Sequence, residues 1–133
     1  MNRKFVISAV AVFVVAMLLG FLVHGAILGK EYAQLTGIMR SEEAAMKLFG
    51  LMILAHVIYA IGFTWIYMRG REARPWLGQG ARFGLAVALI AVIPLYMINY
   101  VVMQFPSDVV AQQIVYDTIA TVILGIVVAW INR

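Results

Sequence analysis

The chain has 133 residues, a formal net charge of +4 and a mean hydropathy of +0.98, with 65% of residues hydrophobic and 12% charged. A soluble globular domain carries about twice that charged share, so a water-exposed shell cannot be assembled from this composition. With 3 prolines, 11 glycines in no fixed period and no cysteine, collagen-like and disulfide-scaffold classes fall away as well. One small integral membrane domain over residues 1–133 remains, and a nucleic-acid partner is not expected despite the positive charge.

Crossing a bilayer takes roughly 20 helical residues. Four apolar stretches meet that length: Phe5–Gly29, Ala44–Met68, Phe83–Phe105 and Val109–Ile131. None alternates apolar and polar residues as a barrel strand would, so the expected fold is an all-α, four-helix transmembrane bundle. The first stretch follows Arg3 and Lys4, as a secretory signal would. Its apolar run is too long for a typical signal core and no small-residue cleavage site follows it, so it reads as a true span.

Between the first two spans lies a mixed-charge loop ending in Ser41-Glu42-Glu43. Ser41 is placed to cap the next helix, and both acids suit the positive end of its dipole. Arg69–Arg82 reads as a second, basic loop containing Gly70, Pro75, Gly78 and Gly80. Pro106-Ser107-Asp108 turns the third span directly into the fourth, which makes those two an antiparallel pair. Within the third span, Pro94 removes a backbone hydrogen bond and predicts a kink.

Arg3, Lys4, Arg69, Arg71, Arg74, Arg82 and Arg133 share one side of this topology, against Lys30, Arg40 and Lys47 on the other. That bias places both termini in the cytoplasm. Trp65, Trp76 and Trp130 fall near the same boundary, where indole rings settle. The basic loop reads first as this orientation signal, and secondarily as a contact for anionic lipid headgroups.

Small residues recur at helix-packing spacing: Gly25 with Gly29, and Gly80 with Gly84, Ala88 and Ala91. Polar residues inside the spans are the candidate site. Asp117 shares a face of the fourth span with Gln113, Thr121 and Gly125, and a carboxylate there must face protein or water. Asn99 lies in the third span beside Tyr96 and Tyr100, His24 in the first, and His56 in the second with Tyr59 one turn on. Helix rise puts His24 about 7 Å, Asn99 about 9 Å, Asp117 about 12 Å and His56 about 18 Å from the ends opposite the basic side. The expectation is therefore a polar cluster of His24, His56, Asn99 and Asp117 drawn from all four spans.

Two readings compete for that cluster: an interhelical hydrogen-bond clasp, and a proton or cation site. Paired axial histidines for haem are disfavoured, because His24 and His56 differ by about 10 Å in depth. A metal site would have only His24, His56 and Asp117 to draw on. No serine or cysteine nucleophile, phosphate-binding loop or HExxH pattern is present, and the eight methionines follow no copper-binding spacing. The sequence predicts no cofactor.

The run His24-Gly25-Ala26-Ile27-Leu28-Gly29-Lys30-Glu31-Tyr32, followed by Leu35 and Gly37, joins Gly80-Ala81-Arg82-Phe83-Gly84-Leu85 at the start of the third span. In these segments and in its four-span layout the chain resembles small bacterial membrane proteins of a domain-of-unknown-function type. The resemblance implies a multi-pass protein of the bacterial cytoplasmic membrane and brings no activity. Small multidrug transporters carry an acid in their first span, quinone-linked disulfide enzymes need cysteines, and dual-topology fluoride channels have little charge bias; this chain departs from all three. The expected role is a non-enzymatic membrane subunit or interaction protein, in a homo-oligomer or a larger membrane complex. A small transporter or channel using Asp117 and Asn99 is the alternative, and a haem- or metal-binding protein using His24 and His56 the third reading.

Overall fold

A computed structural model describes residues 2–133 and contains four helices long and apolar enough to cross a membrane. They are α1 (Arg3–Ile27), α4 (Phe49–Gly70), α5 (Trp76–Val102) and α6 (Ser107–Ile131). Two short helices, α2 (Gly29–Ala33) and α3 (Glu42–Lys47), lie between α1 and α4.

Local chemistry accounts for most boundaries. The Asn2 side chain accepts from the Lys4 amide at 3.1 Å and starts α1. Ser41 caps α3 through the Ala44 amide at 3.3 Å, with Glu42 and Glu43 in the first turn, as the sequence predicts. The helical path then breaks at Leu48 (φ −102°, ψ 7°), so the second span begins at Phe49 rather than Ala44. A larger departure concerns the basic loop. Residues 76–82 are helical, and α5 opens at Trp76 immediately after Pro75. Gly80 is tolerated there because packing against α6 offsets its poor helix propensity, whereas a Cβ on Gly78 would meet open space.

Neither α1 nor α5 is α-helical throughout. Phe21–Ile27 in α1 and Ala88–Val92 in α5 adopt the wider π-helical winding. In α5 this segment directly precedes Pro94, which has no amide hydrogen and crowds the carbonyl four residues back. The added residue in the turn absorbs that mismatch, and α-helix resumes over Ile93–Val102.

All four long helices meet near the end that carries the N-terminus and the α4–α5 loop. Val12 and Ala16 of α1 pack there with Ala60, Phe63 and Tyr67 of α4 and with Leu124, Val128 and Ala129 of α6. Phe83 of α5 completes the contact, its ring centroid 4.7 Å from Phe63 and 5.3 Å from Tyr67, both edge-to-face. A polar tie closes the same end. Asn132 donates to Ser8 Oγ and to the Val128 carbonyl, each at 2.8 Å, while Arg71 donates to the Asn132 carbonyl at 2.8 Å. The ends of α1, α4 and α6 are thereby fixed to one another.

α5 and α6 approach to backbone contact. A Cβ on Gly84 would lie 2.5 Å from the Thr121 carbonyl oxygen, and one on Gly80 2.5 Å from that of Gly125. A Cβ on Gly125 would collide with the Gly80 carbonyl. Only hydrogen fits at these three positions. Gly25 and Gly29 differ: a Cβ on either meets open space, so this pair makes no close helix contact within the chain.

A candidate ionisable site between three spans

At the opposite end of the bundle, His24 sits in the π-helical segment of α1 and reaches α6. Its Nε2 lies 3.0 Å from Asp117 Oδ2 and 3.1 Å from Oδ1, and its Nδ1 lies 2.6 Å from the Tyr32 hydroxyl. Tyr32 belongs to α2, which folds back beside the end of α1. The His24 and Tyr32 rings stack nearly parallel, 8° apart. On α6, Gln113 donates to the Tyr32 hydroxyl at 3.0 Å, and Thr121 donates to the Asp117 backbone carbonyl at 2.7 Å. Tyr96 of α5, just past the π segment, donates its hydroxyl to Asp117 Oδ2.

A proton arrangement with Asp117 ionised satisfies all of these contacts. Both Asp117 oxygens are then acceptors, and the imidazole presents Nε2–H to them. Nδ1 then accepts from Tyr32, and the Tyr32 oxygen accepts from Gln113. The result is a directed chain: Gln113 to Tyr32 to His24 to Asp117, with Tyr96 donating from the far side. Placing a second proton on the imidazole turns Nδ1 into a donor, and Tyr32 must then aim its own hydrogen elsewhere. Burial pushes the Tyr32 phenol above its ordinary range, the Gln113 hydrogen bond opposes that rise, and the Asp117 charge adds to it. Tyr32 therefore remains a neutral hydroxyl at neutral pH, able both to donate and to accept.

The site is partly open. The His24 side chain is 33% exposed and that of Asp117 20%. Below it, toward the polar tie, Thr121, Gly84 and Gly125 pack backbone to backbone.

Of the four residues grouped by sequence reasoning, the structure joins His24 and Asp117. His56 instead donates Nδ1–H to the Met52 carbonyl of its own helix at 2.8 Å, and its Nε2 lies near Gly20 of α1. Asn99 is one turn beyond Tyr96 and stands outside the network; its backbone carbonyl accepts from the Met103 amide. Tyr32 and Tyr96 are the members that sequence reasoning did not single out. Among the described residues no group of three or more His, Cys, Asp or Glu side chains is arranged to hold a metal ion. Both ring nitrogens of His24 have protein hydrogen-bond partners.

No curated protein and no solved structure matches the chain. A family model described as "Protein of unknown function (DUF1761)" matches residues 7–129, nearly the whole length. The chain belongs to the DUF1761 family.

Proposed function

We propose that this chain is a small proton- or cation-handling membrane protein of the transporter or channel class, with His24 and Asp117 as its binding site. The observation that carries this reading is the His24–Asp117 contact itself, an ionisable pair held between apolar spans and partly exposed. A lone carboxylate there bears an uncompensated charge that is expensive in a bilayer. Binding one proton at His24, or one cation beside Asp117, cancels it. Tyr32 and Tyr96 hold the pair in orientation through hydrogen bonds, and Gln113 in turn holds Tyr32, an arrangement that suits handling of a proton or small ion. Both termini are cytoplasmic in this proposal, on the seven-to-three basic asymmetry, and the membrane is the bacterial cytoplasmic membrane.

Proton flux into proteoliposomes tests the reading. Wild-type protein should relax an imposed pH gradient, and Asp117→Asn, which cannot cycle through a charged state, should not. Wild-type flux equal to that of empty liposomes for protons and for monovalent cations alike, or equal flux for both proteins, overturns it.

The membrane-subunit reading keeps one favourable observation. Only 6% of the most apolar window of α5 is buried inside the chain, and Ile90, Val101 and Val102 are among its most exposed side chains. A partner helix, from a second copy or a larger complex, would lie along that face. The native mass of the detergent-solubilised particle decides it: a single chain would contradict the subunit reading.

A further inference from the structure

We propose that the basic end of the bundle binds the phosphate of an anionic phospholipid, in the cleft between the α4–α5 loop and the end of α6. The cleft has a volume of about 410 Å³, and its lining includes Arg71, Arg74, Arg133, Trp76 and Asn132. The lining residues include three arginines and one acid, Glu72.

The loop is held in shape by its own hydrogen bonds. Gln79 accepts from the Glu72 amide at 3.0 Å and donates to the Glu72 carbonyl at 2.9 Å, pinning the loop against the first turn of α5. Arg71 gives one hydrogen bond to the Asn132 carbonyl at 2.8 Å, so its guanidinium is positioned with further donors to spare. Arg74 engages Glu72 through Nε at 2.6 Å, which leaves its two terminal nitrogens free of that pair. α5 begins here without a side-chain cap, its first backbone bond made by the Gln79 amide. The amides of residues 76–78 and the positive end of the helix therefore add to the same anionic preference.

One feature favours a lipid over a soluble phosphate. Arg69 and Arg133 stack over Trp65 and Trp130, at 5.2 Å and 5.4 Å from the ring centroids, and this tryptophan belt marks headgroup depth.

Native mass spectrometry of the whole protein, with phosphatidylglycerol or phosphatidylcholine titrated in, tests the proposal. One phosphatidylglycerol per chain should be retained in preference to phosphatidylcholine. The double variant Arg74→Gln/Arg133→Gln should weaken that binding about 25-fold, at about fivefold per arginine. Glu72→Gln should tighten it, which keeps the test decisive if the double variant fails to fold. Excess inorganic phosphate should not displace the lipid. Equal retention of both lipids, binding indifferent to these substitutions, or displacement by inorganic phosphate would each overturn the proposal.

Discussion

Asp117 accepts hydrogen bonds from two other helices, His24 on α1 and Tyr96 on α5, so its substitutions separate structure from chemistry. Asparagine keeps an acceptor and nearly the same volume. Interhelical hydrogen bonds in membranes contribute about 0.6 kcal/mol on average, so Asp117→Asn should lower thermal stability little while removing the site's charge. Leucine strands the imidazole N–H and the Tyr96 hydroxyl together. At about 1–3 kcal/mol for each unsatisfied buried group, Asp117→Leu should be markedly less stable than Asp117→Asn. Equal melting temperatures for the two would show that these contacts contribute nothing to the fold. His56→Gln is the matching control. His56 bonds only within its own helix, so its substitution should leave any proton flux unchanged.

Glycine placement and helix winding carry the element scale. Replacing Gly84 even with alanine drives a Cβ to 2.5 Å from the Thr121 carbonyl, and leucine adds a larger conflict. Either should cost at least about 1–3 kcal/mol as α5 is pushed from α6, with leucine the worse. Gly25→Ala should be tolerated, because its Cβ meets open space. Thermal unfolding of the three variants in one detergent checks the order. Gly80 and Gly84 were legible from spacing, as were the four spans, the Ser41 cap and the short third turn. Gly25 and Gly29 have the same spacing and no such contact, since a four-residue period identifies a smooth face without saying what lies against it. Periodicity also could not give the π-helical winding at His24. That winding, with α2 folding back, brings Tyr32 onto the imidazole from eight residues away. Tyr96 was visible only as a neighbour of Asn99.

Across the whole molecule, polarity divides between two ends. One holds the packed aromatic core, the Ser8–Asn132–Arg71 tie and most of the basic residues; the other holds the ionisable chain around His24. Charge asymmetry predicts that a reporter fused after Arg133 is cytoplasmic and that a tag beside Leu35 is reached from outside. An external C-terminus would reverse the orientation proposed for the chain. The tautomer of His24 is the most direct test of the account, read from nitrogen-15 NMR of histidine-labelled protein in nanodiscs. The account predicts that the neutral ring carries its proton on Nε2, toward Asp117, with Nδ1 accepting from Tyr32. A neutral ring with its proton on Nδ1 would contradict it.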